Sequence, residues 1–158
     1  MRSLARFEPE GVIAALNNAG ARYVVVGGLA ASAHGVVRAT RDLDIVADPS
    51  PRNMDVVAAT LRSLGAEHPI GGDLTGDALL RPVSMKLLTR AGEVHVLNRM
   101  PGTPAFADLA REAFEVELAP GIGAPVCGLR HLRSMKRASD RPRDAVDLAE
   151  LDELHGPG

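Results

Sequence analysis

The chain is poor in the residues that build several common functional classes. Its 158 residues include one cysteine, Cys127, no tryptophan, one tyrosine and three phenylalanines. A single thiol closes no internal disulfide and builds no zinc knuckle, so cysteine-stapled scaffolds are excluded and a reducing, cytoplasmic setting is expected. Aromatics at 3% supply too few rings for the base-stacking platforms of RRM or OB modules. No apolar run reaches the ~18 residues of a membrane span. The N-terminal stretch MRSLARFEPE lacks the apolar segment of a secretory signal, so a soluble protein with no membrane partner is expected. An excess of one charge is also missing: 18 Lys and Arg against 20 Asp and Glu leave −2. Nucleic acid is therefore not coated non-specifically, and any contact with it must be local.

What is present suits a globular unit. Hydrophobic residues at 46% and charged residues at 24% lie near the average for folded domains, and the length fits one domain over residues 1–158. Val12, Ile13 and Leu16 recur at helical spacing before Asn17-Asn18-Ala19-Gly20, predicting a helix over 9–19. Tyr23-Val24-Val25-Val26 reads as a buried strand broken by Gly27-Gly28, followed by a short Ala-rich helix over Leu29–His34. Leu43–Ala47 predicts a second strand, and Met54, Val57, Ala58, Leu61 and Leu64 mark a helix over 52–64. Val83–Thr89 and Glu93–Asn98 flank a hairpin turn, and Phe114–Leu118 with Ala124–Cys127 form another around Pro120-Gly121. The segment 129–154 is helical with a break near Arg141-Pro142. Pro69, Gly71, Gly72 and Gly76 make His68–Asp77 the loosest stretch, read as a mobile loop.

The chemistry concentrates in Gly27-Gly28-Leu29-Ala30, His34-Gly35, Arg38, Thr40 and Asp42-Leu43-Asp44. Residues i and i+2 of a strand share a face, so Asp42 and Asp44 set two carboxylates side by side while Leu43 and Ile45 turn to the core. Paired carboxylates suit hard divalent cations such as Mg²⁺, which clamp the oxygens of a phosphoryl transfer. Backbone N–H groups of a Gly-Gly turn can approach a triphosphate because no Cβ stands in the way. Either feature alone is ordinary: two solvated carboxylates, or a tight turn.

In this order the features resemble the polymerase-β-like nucleotidyltransferase superfamily, in the branch of minimal nucleotidyltransferases and AbiEii-type toxins of toxin–antitoxin systems. The similarity spans about residues 10–152, because Lys136-Arg137-Ala138-Ser139, Arg141-Pro142-Arg143-Asp144 and Asp147-Leu148 also match a late segment of these proteins. The resemblance implies an α/β (α+β) fold, a small mixed β-sheet flanked by helices with C-terminal helices. It also implies a metal-dependent transferase that uses an NTP and Mg²⁺ or Mn²⁺. Asp42 and Asp44 are then the metal residues. Gly27, Gly28, Arg38, Thr40 and Lys136 are the nucleotide-binding candidates. The family carries a third carboxylate on a later strand, and here that position, in Glu93-Val94-His95-Val96-Leu97, holds His95. Glu93 shares its strand face and has the longer side chain. It either reaches the site itself or leaves His95 as proton acceptor or ligand.

Other polar residues have plain alternatives. His34 closes a short helix and reads as a packing histidine. Arg38 and Arg41 flank the acidic edge as phosphate contacts or solvated arginines, and Lys86 reads as a lysine snorkelling from an apolar strand. Arg130, Arg133 and Arg137 share a helix face with Lys136 beside them. That face is either a phosphate or RNA contact, or one half of an ion-pair network completed by Asp144 and Asp147.

Two functions fit these residues. The first is transfer of a nucleoside monophosphate to a hydroxyl on RNA, protein or a small molecule, in a chain with a possible antitoxin partner. The second is a nucleotidyltransferase fold that has lost turnover and binds nucleotide or a partner. They separate on whether Glu93 or His95 faces Asp42 and Asp44 within ligand reach.

Overall fold

The computed structural model describes residues 6–158, and the first half of the stretch read above as no secretory signal, residues 1–5, lies outside the described residues. Pro9 opens α1 (Pro9–Asn18), a position where a missing amide costs nothing, and Val12, Ile13 and Leu16 form its buried stripe. All four residues of β1 (Tyr23–Val26) are buried, as befits a central strand covered on both faces. The chain continues through α2 (Gly27–Ala33), β2 (Asp42–Ala47), α3 (Pro51–Ser63), α4 (Gly76–Leu79), β3 (Val83–Thr89) and β4 (Gly92–Asn98). It ends with α5 (Phe106–Glu112), β5 (Phe114–Ala119), β6 (Ile122–Val126), α6 (Leu129–Ser139) and α7 (Pro142–His155).

The strands form one mixed sheet in the order β3-β4-β2-β1-β6-β5. β1 runs antiparallel to β2 and parallel to β6, β2 runs parallel to β4, and the hairpins β3–β4 and β5–β6 make the two edges. Val24, Val25, Leu43, Ile45, Val94 and Val96 are buried in the sheet together with Leu16, Met54, Leu61, Leu109, Leu132 and Leu151 from the helices. This is the mixed α/β architecture with C-terminal helices expected from the sequence. No helix among the described residues is long and apolar enough to cross a membrane.

Three local differences have physical causes. The Gly-Gly pair is not a separate turn: Gly27, at φ +72, breaks the strand and is itself the first residue of α2. The short helices α4 and α5 were not marked by periodicity, since four and seven residues are too few to display one. The segment His68–Asp77 is anchored at its end, contrary to the looseness its glycines suggest. Leu74 is buried, its carbonyl accepts from Arg62 Nη1, and Thr75 caps α4 by accepting from the Ala78 N–H. Gly76 serves close approach there, because a Cβ would lie 2.7 Å from the Asp55 backbone nitrogen.

Candidate active site

Sheet register gathers the polar residues on one face. Across the parallel pair, Asp42 stands opposite Glu93 and Asp44 opposite His95. Across the β3–β4 hairpin, Lys86 stands opposite His95. The alternating neighbours Leu43, Ile45, Val94 and Val96 are buried, so Asp42, Asp44, Glu93, His95 and Lys86 project together from the other side. The hairpin is held by Thr89, whose hydroxyl donates to the Gly92 carbonyl and accepts from the Ala91 N–H.

His95 is the hub. Its Nδ1 lies 3.1 Å from Asp44 Oδ1 and 3.5 Å from Asp42 Oδ2, and its Nε2 lies 3.0 Å from Glu93 Oε2. The other oxygen of Glu93 is 3.1 Å from Lys86 Nζ. The Asp44 carboxylate beside Nδ1 raises the His95 pKa, with Asp42 and Glu93 adding to it against the opposing effect of burial. Burial, then the Asp44 charge, pushes the Asp42 carboxyl above its ordinary value, and the neighbouring imidazole offsets only part of this.

These residues fit a divalent cation. One ligand atom from each of Asp42, Asp44 and His95 can be chosen so that all lie within 4.8 Å of one another. Asp44 Oδ1 is buried without an aligned hydrogen-bond donor, because the 3.1 Å approach of His95 Nδ1 is close in distance and poor in direction. A buried carboxylate oxygen left in this state is costly in the protein alone, and a cation satisfies it. Two carboxylates and one imidazole form a mixed oxygen and nitrogen donor set. Glu93, on the far side of the ring, is not in this group.

The remaining candidates occupy distinct places. Gly27 abuts the carboxylate itself: a Cβ there would overlap Asp44 Oδ2, whereas a Cβ on Gly28 would meet Thr40 Oγ1 at 2.9 Å. Thr40 donates to the Asp42 carbonyl. The Arg38 guanidinium is paired with Asp147, both side chains being largely buried. Lys136 Nζ lies 2.8 Å from Asp147 and 3.4 Å from Asp144. His34 Nε2 is 2.8 Å from the Cys127 carbonyl oxygen, in a packing role. On α6, Arg130 pairs with Glu112 and Arg133 with Asp152. The basic face is thus largely an ion-pair network.

A cavity of about 360 Å³ opens beside the carboxylates, lined by Gly27, Asp44, His95 and, on its opposite wall, Leu132, Met135, Lys136 and Arg141. The sequence reading missed Arg141 as a wall residue and Lys86 as the partner of Glu93. Counting outward from the two-residue hairpin turn would have placed Lys86 opposite His95. No such local signal marks Arg141.

The mixed sheet carries its acidic cluster on β2 and on the parallel neighbour β4, and this fold is shared with solved structures. The chain is similar over its length to a Thermotoga maritima protein assigned as a nucleotidyltransferase, with TM-score 0.60, 19% identity, and 93% of this chain and 96% of that one covered. It is also similar to the antibiotic-resistance factor ANT(2'')-Ia, with TM-score 0.57, 14% identity, and 90% and 77% covered. No protein-family model matches the chain, and no curated protein sequence matches it significantly. At these identities the likeness shows the fold.

Proposed function

We propose that the protein is a metal-dependent nucleotidyltransferase that moves a nucleoside monophosphate from an NTP to a hydroxyl acceptor. The observation that carries this reading is the meeting of Asp42, Asp44 and His95 beside a cavity that Asp44 and His95 line, on a fold shared with a protein assigned as a nucleotidyltransferase. In such a reaction the acceptor oxygen bonds to the α-phosphorus, the bond from that phosphorus to the bridging oxygen breaks, pyrophosphate leaves, and the acceptor proton passes to a base or to water. A bound cation would neutralise developing charge on the reacting oxygens. Asp42, Asp44 and His95 Nδ1 would hold it. Gly27 gives the Asp44 carboxylate its room, and the N–H groups of the first turn of α2, which have no partner within the helix, would face the triphosphate. Lys136 and Arg141 place positive charge on the facing wall, although Lys136 is already held by two carboxylates.

The motif order shared with AbiEii-type toxins supports a toxin role with RNA or protein as acceptor. An antitoxin partner belongs to that same reading. A second reading is supported by the His95 contacts themselves. A protonated imidazole between Asp42 and Asp44 supplies internally the positive charge that a cation would bring, as a nucleotide-binding or partner-binding module without turnover would allow. Incubation with each labelled NTP in Mg²⁺ and in Mn²⁺, with total RNA and cell extract, separates the two. Label transfer to any acceptor supports the enzyme, and NTP binding with no transfer under either cation supports the module.

A further inference from the structure

Glu93 lies across the His95 ring from the two aspartates, and its two oxygens have separate partners. Oε2 is 3.0 Å from His95 Nε2 and Oε1 is 3.1 Å from Lys86 Nζ. The arrangement follows from strand pairing. Asp44 and Lys86 stand opposite His95 on its two neighbouring strands, and Glu93 sits two residues earlier on the same face. Ionised carboxylates face both ring nitrogens and can only accept hydrogen bonds. Only Nε2 is aligned with its carboxylate, Glu93 Oε2, whereas Nδ1 is misaligned with Asp44 Oδ1, so the single hydrogen of the neutral ring is placed on Nε2. In a neutral imidazole the other nitrogen then presents its lone pair. Here that nitrogen is Nδ1, the one facing Asp42 and Asp44. Carboxylates placed behind metal-binding histidines in this way fix both tautomer and ring orientation.

We propose that Glu93 is a positioning residue: by accepting the Nε2–H of His95 it selects the tautomer whose Nδ1 lone pair faces a cation held by Asp42 and Asp44, and Lys86 holds Glu93 in place. This rests on the reading of Asp42, Asp44 and His95 as a cation site. It gives Glu93 a role outside the ligand set. One of its oxygens is committed to the ring and the other to the lysine, so it aims the third ligand instead of being one.

The test uses the full chain and needs no turnover. Mn²⁺ affinity is measured from the electron paramagnetic signal of the free ion in wild type, Glu93→Ala, Glu93→Gln and Lys86→Met. The His95 tautomer is read from ring nitrogen chemical shifts in alkaline, metal-free buffer, where the ring is neutral. Wild type should show the Nε2–H tautomer, and Glu93→Ala a mixture of the two. The Glu93→Ala Kd for Mn²⁺ should rise by about 10–100-fold, with smaller rises in Glu93→Gln and Lys86→Met. In a His95→Asp background, where there is no ring to orient, adding Glu93→Ala should cost much less. Equal losses in both backgrounds would show that Glu93 acts only through its charge and overturn the proposal. An unchanged Kd in Glu93→Ala, or an Nδ1–H tautomer in wild type, overturns it as well. Wild-type protein that takes up no Mn²⁺ overturns the cation site itself, a result distinct from the loss of Glu93 control in a protein that does bind the ion.

Discussion

Gly27 and Asp44 compete for one volume. The residue before Gly27, Val26, pairs with Asp44 across β1 and β2, and a Cβ on Gly27 would overlap Asp44 Oδ2. The absence of a side chain at residue 27 is therefore what lets the carboxylate stand beside His95. The same glycine, at φ +72, turns the strand directly into α2.

Gly27→Ala should consequently weaken Mn²⁺ binding by displacing Asp44. It should also cost on the order of 1–2 kcal/mol of stability for a left-handed non-glycine residue. Gly28→Ala is the control. Its Cβ would press on Thr40 Oγ1 at 2.9 Å, so folding should suffer more than Mn²⁺ affinity. Denaturant unfolding and Mn²⁺ titration of both variants separate these effects, and undiminished affinity in Gly27→Ala would refute the shared-volume argument.

Replacing Asp42 with Asn should abolish cation binding without lowering stability in the metal-free protein. Burial and the neighbouring Asp44 raise the Asp42 pKa, so the folded state holds that proton more tightly than the unfolded chain. The sign is then clear: ionised Asp42 costs stability at neutral pH, and the penalty disappears as pH falls through the raised pKa. An uncharged Asn is free of it. Thermal melts in chelator should place the Asp42→Asn midpoint at or above wild type, and added Mn²⁺ should raise the wild-type midpoint alone. A lower midpoint in chelator would contradict this balance of charges.

The sequence carried most of this site because strand alternation is short-range. Asp42 and Asp44 share a face by their spacing alone, and β1 is legible from four consecutive buried residues. Which way His95 and Glu93 point relative to Asp42 depends on the parallel register of β2 with β4, two strands more than forty residues apart. No local signal sets that register. The role of Arg38 was hidden for the same reason, because its partner Asp147 lies on α7 and only packing brings the two within reach, whereas the pairing of Lys136 with Asp144 and Asp147 was legible as the ion-pair alternative. A basic run read in isolation resembles a phosphate contact until the carboxylates that neutralise it are placed.

Lys136 should prove to be a stability residue at least as much as a substrate residue. It is 5% exposed between Asp144 and Asp147, and Lys136→Met leaves two buried carboxylates short of a partner, a loss on the order of 3–5 kcal/mol. Equilibrium unfolding of the variant at neutral pH measures it, and a loss under about 1 kcal/mol would mark the pair as marginal.

Acid should act on the same cluster. Burial works against ionisation of Asp144, but hydrogen bonds from Arg141 and Ser139 outweigh it and hold the pKa down to about 2, from 3.8. A depressed carboxylate pKa contributes stability that is fully present above the unfolded value and lost as pH falls towards the folded one. About 2 kcal/mol should therefore disappear between roughly pH 4 and pH 2. Asp144→Asn should flatten that part of the pH–stability curve. An unchanged acid limb in the variant would assign the loss to other carboxylates.

The identity of the third ligand should decide which cation the protein prefers. Mg²⁺ demands oxygen donors in near-octahedral geometry, whereas Mn²⁺ accepts an imidazole nitrogen more readily. With His95 Nδ1 3.1 and 3.5 Å from the two aspartates, wild type should bind Mn²⁺ well and Mg²⁺ poorly, and any label transfer should follow the same order. His95→Asp supplies a third oxygen donor and removes the cationic form of the ring. The variant should shift the Mn²⁺ to Mg²⁺ affinity ratio towards Mg²⁺ by about tenfold or more. Its metal-free form should be less stable, because three carboxylates then face one another without the imidazole. Calorimetric titration with each ion and label transfer from NTP read the two consequences separately. A variant that gains Mg²⁺ affinity and Mg²⁺-dependent transfer identifies the third ligand as the element that restrains wild type. A variant that gains Mg²⁺ affinity, binds NTP and transfers label to no acceptor shows that the chemistry is limited elsewhere, and the binding-module reading then replaces the enzyme.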